Sequence, residues 1–260
     1  MVKHKTRQLS DTLVGIISSW DGVECITLNE AAMPDTLDPY FALILDVYHS
    51  GGIPPVDARR AAYGKMVAAF ETSPLHAKDR FLIDGLPVRV ELKLTDKIDS
   101  QVAIAANPSS SMWSLHRTGT YMFYRLQKGV MLYQKSDWLE GVREKLAALP
   151  DSFWEQLRRA NESRMEHYVA DLGAAVAQGD DFHYLISSAG FIKHACMALF
   201  CANCRFEPSH RAYSEQIKEL AVLPDDFPGR LDSFLRNDEE MTPERKFSLA
   251  QLIARSVMAL

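Results

Sequence analysis

The sequence predicts an α+β domain over residues 1–150 followed by an all-α helical bundle over 151–260. Three observations predict this. Two short runs rich in β-branched and apolar residues, Val23–Leu28 and Tyr40–Tyr48, precede a pair of strand-like arms, Arg80–Ile83 and Leu86–Leu94. The arms are joined by Asp84-Gly85, a strong two-residue hairpin signal. Beyond Pro150 such runs stop, and apolar residues recur at helical spacing.

Each element has its own signal. Leu9, Leu13, Ile16, Ile17 and Trp20 share one helical face, and Asp21-Gly22 ends the helix. VECITL (23–28) is short and β-branched, a strand. A polar loop over Asn29–Pro39 carries Glu30, Asp35 and Asp38. YFALILDVY (40–48) is nearly continuous apolar sequence, as in a strand buried on both faces. HSGGIPP (49–55) is a turn and helix entrance, because proline is tolerated in a first helical turn. Tyr63, Met66, Val67 and Phe70 then mark the inner face of a helix running to about Glu71. In the second hairpin arm Val88, Val90 and Leu92 alternate with Arg89, Glu91 and Lys93, so a charged face looks into a cleft. Residues 101–150 are less regular: a loop at Asn107–Ser111, a helix over 120–126, a short strand at Val130–Tyr133 and a helix opening at Trp138.

In the second half Phe153, Leu157, Met165, Tyr168, Val169, Leu172 and Val176 form one helical stripe, broken at Gly179-Asp180. Phe182–Cys204 is apolar almost all round, as a central bundle helix requires. Leu249, Leu252, Ile253, Val257 and Leu260 give a last amphipathic helix.

Composition narrows the function classes. The 260 residues are 47% hydrophobic and carry 29 Lys and Arg against 34 Asp and Glu, a net charge of -5. That balance argues against a general nucleic-acid coat or an anionic-membrane binder, since phosphate surfaces reward basic patches. Four cysteines are too few for a disulfide scaffold, which suggests a reducing, cytoplasmic setting. The longest apolar run, Ala195–Ala202, falls short of the roughly 20 residues that span a bilayer. No Gly-x-Ser-x-Gly elbow, phosphate-binding P-loop or Gly-x-Gly-x-x-Gly turn is present.

The acidic residues carry the main chemical signal. Asp46 ends an oily strand and Glu91 lies on the charged face of another. A buried carboxylate needs a cation or a hydrogen-bond partner. If the two strands are neighbours, the carboxylates meet, and hard oxygen ligands suit Mg²⁺ or Mn²⁺ holding substrate phosphates. The plainer alternative has Asp46 facing solvent and Glu91 paired with Arg89 or Lys93. A second cluster, His194, Cys196, Cys201, Cys204 and His210, offers zinc-type ligands, but no second Cys-x-x-Cys or His pair accompanies it and buried thiols often act as small hydrophobes. His49 beside Gly51-Gly52 projects from the end of the apolar strand, Lys78 and Arg80 precede the hairpin as candidate phosphate contacts, and Trp113 and His116 flank a serine loop.

Taken in order, FALILDVYHSG, LPVRVELK, YRLQKGVMLYQKSDWLEGVREKLAALP and ALFCANCRFEPSHRAYSEQIKEL resemble segments of the nucleotidyltransferase fold of the DNA polymerase β-like superfamily, most closely its two-domain aminoglycoside-nucleotidyltransferase-like branch. The resemblance covers about residues 9–220. It implies a nucleotidyltransferase-like mixed sheet with flanking helices, then a bundle that holds the acceptor. It implies metal-dependent transfer of a nucleoside monophosphate from a nucleoside triphosphate to a small-molecule acceptor. By the same resemblance Asp46 and Glu91 are catalytic and bind Mg²⁺ or Mn²⁺, with Glu30, or else Asp38, supplying a further ligand from the loop, while Asn29, Tyr124, Lys193 and Asn203 contact nucleotide or acceptor. Two departures define the alternative. Leu28-Asn29-Glu30 stands where the family has a Gly-Ser turn, and Ile44 stands where a second strand acid belongs. The alternative is a catalytically degenerate relative that serves as a ligand-binding or protein-interaction module.

Overall fold

The computed structural model describes residues 2–29, 43–108 and 119–260. Glu30, Asp35, Asp38, Tyr40–Ala42, Ser109–Ser111, Trp113 and His116 lie outside the described residues. The chain divides into two compact units, Met1–Ala106 with Met122–Leu149, and Asn107–Tyr121 with Pro150–Leu260. The chain passes from one unit to the other between Leu149 and Pro150, and Asn107, Pro108 and Gly119–Tyr121 also group with the later helices.

The first unit contains α1 (Val2–Ile17), β1 (Val23–Leu28), β2 (Leu43–His49), α2 (Val56–Tyr63), β3 (Val67–Thr72), β4 (Lys78–Ile83), β5 (Leu86–Leu94), α3 (Thr95–Ala106), α4 (Tyr121–Lys128), β6 (Val130–Gln134) and α5 (Trp138–Ala147). The strands form one mixed sheet in the order β3-β4-β5-β2-β1-β6. β2 and β5 run parallel, and the other neighbours are antiparallel. All seven residues of β2 are buried, as its apolar sequence required of a central strand.

Side chains alternate across the sheet. Leu43, Leu45 and Val47 of β2 and Val88, Val90 and Leu92 of β5 join Leu13, Ile17, Trp20 and Tyr63 in one core. Ile44, Asp46 and Tyr48, with Arg89, Glu91 and Lys93, therefore face the other way, and Tyr48 lies 5.4 Å from the Trp138 ring of α5. Asp84 (φ 48) and Gly85 (φ 78) both take left-handed backbone, the geometry that joins two twisted strands through two residues.

One expected element is wrong. The helix marked by Tyr63, Met66, Val67 and Phe70 ends at Tyr63, because Gly64 (φ 77) turns the chain out of it. A 3₁₀ turn, Gly64–Met66, leads into β3, which pairs with β4 across an irregularity where Ala69 has φ 50. Phe70 still reaches Tyr63, at 6.2 Å between ring centroids, but from a strand. α3 runs into the stretch expected to be less regular, residues 101–150, and buries Ile98, Val102 and Ala105 at helical spacing.

A second polar lock sits beside the sheet edge. Arg59 of α2 grips Asp79 of β4 through two bonds, Nε to Oδ2 at 2.8 Å and Nη2 to Oδ1 at 2.9 Å. Two more guanidinium hydrogens go to the carbonyls of Pro54 (2.8 Å) and His76 (3.1 Å). Both partners are buried, and the paired donors and acceptors make that burial tolerable.

The second unit is helical: α6 (Asp151–Gln178), α7 (Asp181–Ala202), α8 (Tyr213–Gln216), α9 (Phe227–Leu235) and α10 (Pro243–Met258). Gly179 (φ 64) closes α6, and the Asp180 carboxylate accepts from the His183 amide at 3.0 Å to cap α7. α7 is long and apolar enough to cross a membrane by length and composition alone. Its Phe191, Leu199 and Phe200 are buried against Leu172 of α6, Leu231 and Phe234 of α9 and Ile253 of α10. α9 was not anticipated; Phe227, Leu231 and Phe234 are its buried face.

The α6–α7 contact depends on Gly190. A Cβ there would stand 2.4 Å from the Tyr168 ring, which cannot yield while it stacks on His194 at 5.6 Å. Gly190→Ala is expected to destabilise the bundle by about 1–3 kcal/mol, measured by urea unfolding; an unchanged midpoint would show that Tyr168 moves aside freely.

Candidate functional site

The parallel register of β2 and β5 places Asp46 directly beside Glu91 on one sheet face. Asp46 is fully buried and Glu91 is 8% exposed. Two like charges in such a place need cations, and α4 supplies one. The Arg125 guanidinium donates through Nη2 to Asp46 Oδ1 and through Nη1 to Glu91 Oε2 at 2.9 Å, bridging the two acids. Lys93, two residues along β5, places Nζ 2.9 Å from Asp46 Oδ2 and 3.7 Å from Glu91 Oε2. Asn29 Nδ2 donates to Asp46 Oδ2 at 2.6 Å, and the Tyr48 hydroxyl donates to it at 3.3 Å. At the rim, Lys78 and Arg89 each stand 3.5 Å from Glu91 Oε1.

Local sequence explains how Arg125 arrives there. Phe123, Tyr124 and Leu126 are buried with it on α4. The helix stops at Gly129, whose amide donates to the Arg125 carbonyl at 2.9 Å. A Cβ on Gly129 would lie 2.8 Å from that carbonyl oxygen and 2.9 Å from Thr27 Oγ1, so only glycine lets the end of α4 close on β1. Arg143 of α5 clasps the same end, donating to the Leu126 and Gly129 carbonyls at 2.9 and 2.6 Å.

The charges balance in the interior and turn positive at the rim. Two carboxylates face Arg125 and Lys93, with Lys78 and Arg89 beyond them. Burial works to raise the Glu91 carboxyl, but Arg125, then Lys93, Lys78 and Arg89, hold it below the usual carboxylate range. Burial lowers the Lys93 ammonium, and Asp46 opposes that shift.

These described residues do not fit Mg²⁺ or Mn²⁺. Such an ion needs carboxylate oxygens with open lone pairs and usually keeps several waters. Here all four oxygens of the pair already meet protein cations or hydrogen-bond donors. Among the described residues no group of three or more His, Cys, Asp or Glu side chains is placed to hold a metal ion. Glu30, expected as the third ligand, lies outside the described residues.

Among the other expected site residues, Asn29 joins the cluster and Tyr124 is buried next to Arg125 on α4. Lys193 belongs to the second unit, where it lines an apolar cavity of about 420 Å³ with Ile192, Tyr213, Ile217 and Leu231. Asn203 also belongs there and acts as a clasp. Its Nδ2 donates to the Leu199 and Val222 carbonyls, and its Oδ1 accepts from the Val222 amide, all at 2.8 Å. Arg80 is exposed on β4. Of the zinc-type residues, His194, Cys196 and Cys201 are buried, while Cys204 and His210 are exposed. The Cys196 and Cys201 thiols are pushed up to about 12, chiefly by burial. His194 Nδ1 meets Asn161 Oδ1 at 2.9 Å, and burial, then Arg164 and Lys193, holds the imidazole down at about 4.

The reading of Asp46 as a solvent-facing strand end is overturned by its burial. The pairing of Glu91 with Arg89 or Lys93 is present, at 3.5 and 3.7 Å. Arg125 was missed. Nothing around it in sequence marks it, although its place among buried aromatic residues is a weak signal that it has an internal partner.

Arg125→Met removes the cation that bridges the pair and leaves the two buried carboxylates to Lys93 and the rim cations; it is expected to cost about 3–5 kcal/mol of stability, with part recovered on adding Glu91→Gln, measured by urea unfolding. The Glu91 carboxyl is depressed by folding, so the folded state binds its proton less readily than the unfolded chain. The stabilisation is complete above the ordinary glutamate range of the unfolded chain and is lost as pH falls below that range through the lower folded value. A pH series of unfolding midpoints should show this decline, flattened in Glu91→Gln; an identical decline in both proteins would assign it elsewhere.

A sequence family described as a domain of unknown function (DUF4037) matches residues 116–211, a stretch that holds Arg125, Lys193 and Asn203 but neither Asp46 nor Glu91. No curated protein matches the chain. Among solved structures the chain is similar to a nucleotidyltransferase-like protein from Exiguobacterium sibiricum 255-15, with 13% identity, coverage of 97% of this chain and 74% of that one, and a TM-score of 0.49.

Proposed function

We propose that the α+β unit is a ligand-binding module built on a nucleotidyltransferase-like plan, in which the acid pair has become an internal ion cluster. The observation that carries this reading is the single guanidinium of Arg125 between Asp46 and Glu91. A metal-dependent transferase needs those oxygens for the ion that polarises the phosphoryl group and activates the attacking oxygen. Arg125 and Lys93 supply the two positive charges that such an ion would bring, at fixed positions and without exchangeable waters. Lys78 and Arg89 leave the rim positive, which suits an anionic ligand such as a nucleoside triphosphate bound without metal.

A second reading is favoured by the register itself, since two carboxylates side by side on parallel strands are also what a metal-dependent nucleotidyltransferase requires. In that reading the Arg125 guanidinium would withdraw, Asp46 and Glu91 would hold Mg²⁺ or Mn²⁺, and the ion would supply the Lewis acidity for transfer of a nucleoside monophosphate from the triphosphate to a small acceptor.

Thermal unfolding and ATP calorimetry with and without Mn²⁺ separate the two. In the wild type we expect Mn²⁺ to change neither the melting temperature nor ATP affinity. In Arg125→Met we expect Mn²⁺ to raise the melting temperature, because removal of the guanidinium frees Asp46 Oδ1 and leaves the acid pair short of one cation. Mn²⁺-dependent ATP binding by the wild type, lost in Asp46→Asn with Glu91→Gln, would replace the module reading with the transferase.

A further inference from the structure

β2 and β5, the parallel pair, end at His49 and Leu94, and their ends open onto a groove of about 880 Å³ within the α+β unit. That is the size of a small-molecule site, and ligands of open sheets commonly bind beyond the carboxyl ends of parallel strands. The groove is distinct from the acid pair, since neither Asp46 nor Glu91 lines it.

Its lining is one-sided in charge. His49, Arg59, His76, Lys93 and Lys97 are its ionisable residues, and no carboxylate is among them. Arg59 and Lys93 are already engaged, with Asp79 and Asp46. Lys97 and the other groups are not so spent. His49 is only 9% exposed; its Nδ1 makes no hydrogen bond of ordinary geometry, although the Gly51 backbone acts on the ring against the lowering that burial imposes. A ring nitrogen without a well-formed bond at the wall of a groove can gain one from a ligand. Val56 opens α2, and Lys97 and Ile98 lie in the first turn of α3, so the groove meets the positive ends of two helices. Asp57 and Asp96, the acids of those first turns, do not line it. The rest of the wall is apolar, including Ile53, Leu92, Leu94 and Met122, with Leu75 88% exposed at the mouth.

We propose that this groove binds a small amphipathic anion, a phosphate- or carboxylate-headed molecule whose apolar or planar body lies along Ile53, Leu92 and Met122 and whose head meets Lys97 and His49. The proposal holds whether or not the acid pair takes a metal.

The test uses the full chain in metal-free buffer, with phenyl phosphate and hexanoate as probes, followed by calorimetry and by amide NMR shifts. Saturable binding of at least one probe is expected, weakened at least about tenfold by Lys97→Glu and by Leu75→Glu. Both positions are exposed, so circular dichroism should confirm that these variants fold. Arg80→Glu, an exposed basic residue of the same unit outside the groove, should bind as the wild type does. Preference for phenyl phosphate assigns a phosphate head, and preference for hexanoate assigns a carboxylate. Absence of saturable binding by both probes, equal affinity in wild type and Lys97→Glu, or an equal loss in Arg80→Glu would overturn the proposal.

Discussion

The α+β unit depends on one guanidinium. β2 is buried along its whole length and yet carries Asp46 at its middle. Desolvating that carboxylate is unfavourable, and placing Glu91 beside it adds repulsion. Arg125 answers both, because a planar fork with several fixed donors can reach two carboxylates at once, which a lysine ammonium does less specifically. Lys93, Asn29 and Tyr48 then converge on the other oxygen of Asp46, Oδ2. A cluster so fully paired also selects register: a one-residue slip of β2 would turn Asp46 into the apolar core beside Leu13 and Tyr63.

The bundle seats its own buried polar groups on hydrogen bonds. Asn161 donates to the Leu157 carbonyl at 2.8 Å, which leaves its Oδ1 to accept from His194, so the imidazole sits neutral inside the unit. Glu207 is buried too; its carboxylate accepts from the Tyr213 hydroxyl, and its amide donates to Thr120 at 2.8 Å. Gly119 makes room for it, since a Cβ there would stand 2.5 Å from Glu207 Oε2.

Much of the scaffold was legible because local signals agreed with tertiary demands. VECITL, the apolar run to Tyr48, the Asp84-Gly85 hairpin and the Gly179-Asp180 break each combine pattern and punctuation. β3 was not legible: Tyr63, Val67 and Phe70 have helical spacing, and the deciding event is the positive φ of Gly64. The acid pair was legible as two isolated residues and as a conditional neighbourhood. What those acids bind was not. Arg125 lies 34 residues from Glu91 and 79 from Asp46 along the chain, and no periodicity or motif encodes a contact of that range.

Those separations bear on the order of assembly. The parallel β2–β5 pair cannot close until the intervening helix, strands and hairpin are in place, and Arg125 follows later still in sequence. Contacts between distant segments form only after the entropy of closing long loops has been met. Until α4 docks, Asp46 and Glu91 keep their water, and the sheet face they share stays wet. The guanidinium thus works as a closing latch: its arrival expels that water and commits the unit, so nascent chains that stop short of Arg125 carry a sheet whose centre is still hydrated and unsealed.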